Sequence, residues 1–418
     1  MASPNAYAGA NHRSVKRSNR ATIFRAIRAL GPIARITLAR QTLLNAGTVT
    51  NIVDELLDAG LVSEIGQGVS RVGRRPVLLK VNPTARYAIG IDIARDAISG
   101  AIVDLAGHQH QHLHEAAGPW LTGETVLAAT CAMIERLLVG FPETRRATLV
   151  GIGIGAVGPL SLRSGRFLAP PSFGSWQDLA LVSHVQARFG LPTFVDNNGN
   201  TSALAELWFG AGQGIDNFVF LSLGTGIGGG LVLDGELYRG EHDVAGELGH
   251  LSIDANGPRC ACGNYGCLEM YASVPRVLAA TRAALATGEP SAIRARVRPG
   301  EEPTLDALVA AACGGDPLAV RILADATRAL AAGLVTIINS FDPRLVLLGR
   351  ELASAGDILL EPVRAEVRRR VFPALRDTVR IETTALSGAP TVGAATLALQ
   401  GFFAAPLSHS TALVIAGR

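Results

Sequence analysis

The apolar positions at the start of the chain fall into three short helical patterns. Ile23, Phe24, Ile27 and Leu30 recur at helical spacing, and Gly31-Pro32 ends that helix. Ile36, Leu38, Ala39, Leu43 and Leu44 suit a second short helix, with Asn45-Ala46-Gly47 as the turn after it. The third helix is predicted over 48–59. Val49, Ile52, Val53, Leu56 and Leu57 form its apolar face, and Gly60 closes it. Two strand-like runs follow, 61–65 and Val77–Val81, joined by a glycine-rich segment that carries Arg71, Arg74 and Arg75. Beyond Asn82-Pro83 the pattern alternates between strands and helices. Tyr87–Ile93 and Ala97–Asp104 read as paired strands, 126–138 as a helix and 148–156 as a buried strand. Phe218–Leu223 and 230–233 are further strands around a glycine-rich turn, and helices are expected near 318–341, 355–372 and 391–402. The fold class is therefore α/β, preceded by a small helical unit with a hairpin.

Charge separates the two parts. Residues 1–86 hold 13 Lys and Arg against 4 acids, whereas the whole chain is only +3. A basic end on an otherwise acidic protein points to nucleic acid. Thr48, Thr50 and Asn51 lie opposite the apolar face, near the N-terminus of the third helix, where a helix-turn-helix presents base-reading side chains to the major groove. The three arginines of the hairpin suit a wing lying over phosphates or reaching into a narrow minor groove. The plainer readings are a capping cluster for the polar trio and an idle basic tail. No apolar run reaches the length of a membrane span and the N-terminus lacks a signal-peptide core, so a cytoplasmic location is expected.

Chemistry concentrates in one segment. Residues 246–269 read GELGH, nine residues, then CACGNYGCLE. His250, Cys260, Cys262 and Cys267 supply the full ligand set for one tetrahedral, structural Zn²⁺ without an open position. Two carboxylates, Glu247 and Glu269, bracket the segment, and the metal would turn both toward a common pocket. The bland alternative is three buried free thiols. A second run, HQHQHLH at 108–114 beside Asp104, reads as a solvated turn rather than a second metal site.

The GELGH–CACGNYGCLE run resembles the ROK family of sugar kinases and sugar-responsive repressors, and the stretch from Asn19 through Gly73-Arg74-Arg75-Pro76 resembles the DNA-binding half of its repressors. The resemblance implies a winged helix-turn-helix domain over 1–84. A two-lobed, actin-like domain of ribonuclease-H type over 85–403 and a tail over 404–418 complete the division. Its sugar-contacting positions fall on Asn197, Asn198, Glu247, His250 and Glu269. The kinase parts are altered. Ala94, Arg95 and Asp96 replace the glycines and threonine of the phosphate loop after Asp92. Asn198 stands at the position of the catalytic carboxylate, and Arg350-Glu351 replaces glycines of a third loop. One glycine loop, 224–230, survives; alone it also reads as a turn or hinge. An amide cannot act as general base, so no kinase activity is expected. The 155–159 loop and Ser175-Trp176 are secondary pocket candidates. The implied protein is a homodimeric or higher-order repressor that binds double-stranded operator DNA and a monosaccharide or derivative. A bifunctional sugar kinase, a repressor under a protein partner and an activator remain alternatives.

Overall fold

The computed structural model describes residues 12–68, 75–116, 122–168, 176–298 and 300–405. The N-terminal unit comprises α1 (His12–Leu30), β1 (Ile33–Ala34), α2 (Arg35–Thr42), α3 (Ala46–Asp58), β2 (Val62–Gln67) and β3 (Val77–Val81). Its strands form an antiparallel sheet in the order β1-β3-β2; β1, two residues long, carried no signal in the sequence. The predicted turn is displaced. Leu43 takes the left-handed conformation that ends α2, and Asn45 is the N-cap of α3, its side chain accepting from Thr48 N at 2.8 Å. Asn45-Ala46-Gly47 is thus cap and first turn rather than loop, because a capping Asn satisfies an otherwise orphaned amide. Val49, Ile52, Val53 and Leu56 are buried as expected.

The remaining chain forms two lobes of the same plan. The first lobe uses β4 (Tyr87–Ile93), β5 (Ala97–Asp104) and β6 (Gln109–Ala116) as an antiparallel run. After α4 (Gly123–Val139) come β7 (Leu149–Ala156), a short hairpin of β8 (Leu160–Ser161) and β9 (Arg166–Phe167), α5 (Leu181–Phe189) and β10 (Thr193–Asn197). The sheet order is β10-β7-β4-β5-β6, with β10, β7 and β4 parallel. His108 lies in the turn between β5 and β6, but His110, His112 and His114 lie in β6, an edge strand: their alternation is the period-two pattern of a half-solvated strand.

α6 (Asn198–Phe209) then crosses to the second lobe, built on β11 (Phe218–Leu223), β12 (Ile227–Leu233) and β13 (Glu236–Tyr238). α7 (Glu269–Ala272), α8 (Val274–Ala286), α9 (Leu305–Cys313) and α10 (Pro317–Phe341) precede β14 (Leu345–Gly349), α11 (Asp357–Arg370) and β15 (Arg380–Thr383). The order β13-β12-β11-β14-β15 repeats the first lobe: three parallel strands and two antiparallel ones. Finally α12 (Ala389–Ala404) returns to the first lobe and packs on α6.

α6 and α12 pack on each other, and glycines permit the close approach of α12 to α6 and to β7. A Cβ at Gly393 would stand 1.7 Å from the carbonyl of Thr201 on α6, and one at Gly153 would stand 1.7 Å from that of Ala394. Residues of α12 cluster with Ala88 and Ala101 on one face of the first sheet and residues of α4 and α5 with Ile89 and Ile91 on the other, which explains why β4 is buried at all seven positions. The N-terminal unit is seated on these two helices. Phe24 of α1 stacks on Phe403 of α12 with ring centroids 4.0 Å apart, and buried Arg20 donates to the Phe403 and Ala405 carbonyls. The Arg28 guanidinium lies 4.4 Å from the Trp208 ring and 4.6 Å from the Phe209 ring, at the end of α6. One apolar cluster accordingly runs without a break from α1–α3 into α6 and α12. Residues 406–418, most of the expected tail, lie outside the described residues; α12 itself runs to Ala404. Among the described residues no single helix is long and apolar enough to cross a membrane.

Candidate functional site

A cavity of about 380 Å³ opens where the lobes meet, and it collects the polar residues singled out in the sequence. Asn197 ends β10 and caps α6, its side-chain oxygen accepting from Gly199 N at 2.8 Å. That cap fixes the side chain, whose amide then donates to Glu247 Oε1 at 3.1 Å. Asn198 begins α6 and lines the same wall. Glu247 precedes a single 3₁₀ turn, Leu248–His250, which brings Glu247 Oε2 to 3.9 Å from His250 Nε2. Burial raises the Glu247 carboxyl above its usual range, and Glu269 adds to this, while His250 and Arg95 oppose it. Glu269 starts α7 and accepts from Ile227 N at 2.8 Å through Oε2.

Beside this wall lies the four-residue cluster of His250, Cys260, Cys262 and Cys267, with all ligand atoms within 4.8 Å of one another. His250 Nδ1 stands 3.5 Å from Cys260 Sγ, and Cys262 Sγ stands 3.7 Å from Cys267 Sγ. A zinc tetrahedron with usual Zn–N and Zn–S lengths has N···S and S···S edges of about 3.6 and 3.8 Å, so the donor set fits that ion. The loop is held by bridges Ser252–Cys267 and Arg259–Tyr265, and by Gly266, where a Cβ would strike the Asp254 carbonyl at 1.7 Å. Burial and the neighbouring thiols raise Cys267 to about 12, a proton-rich state that a dication would relieve. His250 faces the cluster with Nδ1 and the cavity side, through Glu247, with Nε2, so an ion at the cluster would orient a cavity residue.

Two residues that the sequence marked only as intrusions turn out to be cavity walls. Arg95 Nη1 lies 3.2 Å from Glu269 Oε1, and Arg350 Nη2 lies 3.4 Å from Asp92 Oδ2, each pair joining one lobe to the other. The surviving glycine loop is crowded by the same replacements. A Cβ at Gly224 would meet Glu351 Oε2 at 2.5 Å, and one at Gly226 would meet Glu269 Oε2 at 2.6 Å and the Arg95 guanidinium carbon at 3.0 Å. Only residues 224–226 form the turn; 227–233 belong to β12. Val157, Gly158 and Pro159 line the cavity, whereas Trp176 is fully buried against Phe167 and Ser175 lies outside the described residues. A signal for the arginines existed: a bulky cation at a position where glycine is expected must be accommodated by an acid nearby.

The comparisons with known proteins agree with this geometry. The model of the ROK family matches residues 88–401, three quarters of the chain. The chain belongs to the ROK family. The xylose repressor of Bacillus spizizenii (strain ATCC 23059 / NRRL B-14472 / W23) is 34% identical over 393 residues, covering 93% of this chain and 96% of the relative. Among solved structures, a ROK family transcriptional regulator homologous to the E. coli MLC protein superposes with TM-score 0.79 at 31% identity, covering 94% of this chain and 97% of that one. A ROK family glucokinase from Streptomyces griseus, in complex with glucose and AMPPNP, gives TM-score 0.69 at 33% identity. It covers 75% of this chain and 100% of that one, a difference that corresponds to the extra N-terminal unit. The two ROK lobes are thus common to regulator and kinase.

Within that extra unit, Thr50 and Asn51 are exposed at the start of α3 and Thr48 is half-buried. The Thr50 hydroxyl donates to the Ala46 carbonyl at 2.9 Å and keeps its acceptor capacity. Arg75 is exposed at the entry to β3; Arg71 and Arg74 lie outside the described residues.

Proposed function

We propose that this ROK protein is a sugar-responsive transcriptional repressor without kinase activity. Residues 1–84 form a winged helix-turn-helix that binds operator DNA: Thr48, Thr50 and Asn51 face the major groove, and Arg71, Arg74 and Arg75 contact phosphates. Residues 85–403 bind a monosaccharide or close derivative through Asn197, Asn198, Glu247, His250 and Glu269. Carboxylates and amides suit this task, because each bridges neighbouring hydroxyls and is left unpaired by an analogue that lacks one. A structural Zn²⁺ on His250, Cys260, Cys262 and Cys267 fixes the His250 ring and the start of α7. The protein acts as a homodimer on a pseudo-palindromic site.

The observation that carries this reading is the path of α6. It begins at Asn198 in the cavity wall and ends at Trp208 and Phe209 beneath Arg28 of the N-terminal unit. A sugar that draws the lobes together tilts α6 against α12 and moves the DNA-binding heads, which lowers operator affinity. The catalytic-base position supports the same reading: Asn198 accepts a hydrogen bond but takes no proton. Arg95 and Glu351 crowd the loop where bare backbone would have to cradle phosphate.

A thermal-shift screen of the zinc-loaded protein against neutral monosaccharides tests the sugar site, with xylose first because relatives carry that name. A ligand at a hundredfold excess over Kd stabilises the folded state by about 2.7 kcal/mol. One hit that Glu247→Ala abolishes supports the reading. Sugar-dependent ATP consumption would revive the kinase, and intact DNA binding without any sugar affinity would favour control by a protein partner.

A further inference from the structure

Behind the sugar cavity lies a second cavity of about 260 Å³. Asp92 and Arg350 stand at kinase-loop positions, but neither residues 94–96 nor the glycine loop 224–229 contributes to its walls. It is bounded by β4, β5, the edge strand β6 and the beginning of α12, and Arg350 is common to both cavities. Asp92, Ser99 and His114 stand in one row across the three strands. Ser99 Oγ lies 2.9 Å from His114 Nδ1, which leaves Nε2 of that ring for another partner. His112, two residues earlier on the strand, shares its face.

Two features of this cavity call for a ligand. Asp92 is only 3% exposed; Arg350 takes its Oδ2, but its Oδ1 is buried without any hydrogen-bond partner. A buried acceptor in that state needs a donor. The start of α12 has no side-chain cap, and Gly388, Ala389, Pro390 and Thr391 belong to the wall; Pro390 has no N–H, so Ala389 and Thr391 supply the backbone donors. First-turn amides have no intrahelical acceptor, and together with the helix dipole they favour an anion. A cation would satisfy Asp92 but would face Arg350 and the positive end of the helix. A fully ionised anion would satisfy the donors but would press a bare oxygen against Asp92. An oxyanion that keeps one hydroxyl meets both demands, and at neutral pH inorganic phosphate always keeps at least one.

We propose that this second cavity binds inorganic phosphate, with Asp92 Oδ1 accepting the P–OH and the α12 N-terminus, Arg350 and His114 donating to the bare oxygens. Burial raises Asp92 to about 6, partly offset by Arg350, so it is an ionised acceptor at pH 8. Arg350 is the one proposed donor that also lines the first cavity, and Glu247 lines only the first, so a Glu247 variant separates the two readings.

The test uses the full-length zinc-loaded protein at pH 8, with calorimetric titration and melting curves in sodium phosphate, sodium sulfate and methyl phosphate at equal ionic strength. Phosphate is expected to bind at least about tenfold more tightly than sulfate, the worth of one buried acceptor left unpaired. Methyl phosphate, which has lost its last P–OH at this pH, should behave as sulfate does. Asp92→Asn should bring the three ions to within about threefold of one another, and His114→Gln should weaken phosphate while preserving its preference over sulfate. Glu247→Ala should leave phosphate binding unchanged. No phosphate binding, or equal binding of phosphate and sulfate, overturns the proposal. So does loss of phosphate binding in Glu247→Ala. Should Asp92→Asn fail to fold, the sulfate and methyl phosphate titrations of the unmutated protein and the His114→Gln variant still decide the matter.

Discussion

Replacing Arg28 by Met should disconnect the sugar cavity from the DNA-binding head while leaving both intact. The Arg28 head is buried against Trp208 and Phe209, with Nε and Nη1 lacking hydrogen-bond partners. Burial, aided by Arg25, lowers its pKa to about 9, so it still carries charge at neutral pH. Two desolvated cation–π contacts contribute about 1–2 kcal/mol each, and the unpaired buried donors cost an amount of the same order. Methionine keeps the apolar stem and removes both terms, so global stability should change by no more than about 1 kcal/mol. The link between α1 and the end of α6 is lost, however. Allosteric couplings are typically about 1–3 kcal/mol, and removing a third to a half of such a term cuts the sugar-induced change in operator affinity by roughly 5-fold. Fluorescence anisotropy of a labelled operator, titrated with and without sugar, reads the coupling, and calorimetry reads sugar affinity in free protein, expected to stay within about twofold. An unchanged response would refute the argument. A fall in free-protein sugar affinity matching the loss of response would show that Arg28 supports the cavity itself.

Three further outcomes follow from the same geometry. Cys267→Ser should lower bound zinc from one ion per chain to a small fraction, by elemental analysis, and should lower the melting temperature, because binding energy at a structural site is folding energy. Asn198→Asp alone should yield no sugar-dependent ATP consumption in a coupled assay, since Arg95 and Glu351 still crowd the glycine loop. Asp92, raised from 3.8 to about 6, costs stability as pH rises through that interval, and what is present below its unfolded value is lost above its folded one. The Asp92→Asn variant should therefore gain on the unmutated protein by about 2 kcal/mol between pH 4 and pH 8 in urea unfolding; equal pH profiles would contradict it.

What the sequence disclosed, and what it withheld, follows from where each signal resides. The cluster of His250, Cys260, Cys262 and Cys267 was legible because a candidate metal site is marked by residue type and spacing, and the folded chain brings all four together. β4 and β5 matched their predicted bounds, since continuous apolar runs flanked by polar turns have few other readings. α6 was missed for the opposite reason: it is buried almost all round, with Asn200, Thr201, Ser202 and Glu206 inside, so no amphipathic period marks it. Its buried polar groups find partners both near and far in the chain: Asn200 donates to Asp196 Oδ1, and Glu206 accepts from Ala211 N and from the distant Thr384 hydroxyl. The histidine strand β6 was misread because polar residues on both faces of an edge strand look like a turn. The cross-lobe pairs Arg95–Glu269 and Arg350–Asp92 join residues far apart in the chain, and no local pattern predicts such contacts.

The most direct measurement is a titration of operator binding with sugars. The full-length, zinc-loaded protein would first select its own operator from random-sequence DNA, and anisotropy would then follow that fragment against a panel of monosaccharides, with xylose first. The account predicts that one sugar lowers operator affinity by at least about tenfold, within the usual range of allosteric coupling, and that Glu247→Ala abolishes the effect while retaining operator binding. Tight operator binding that no sugar alters would contradict the central claim.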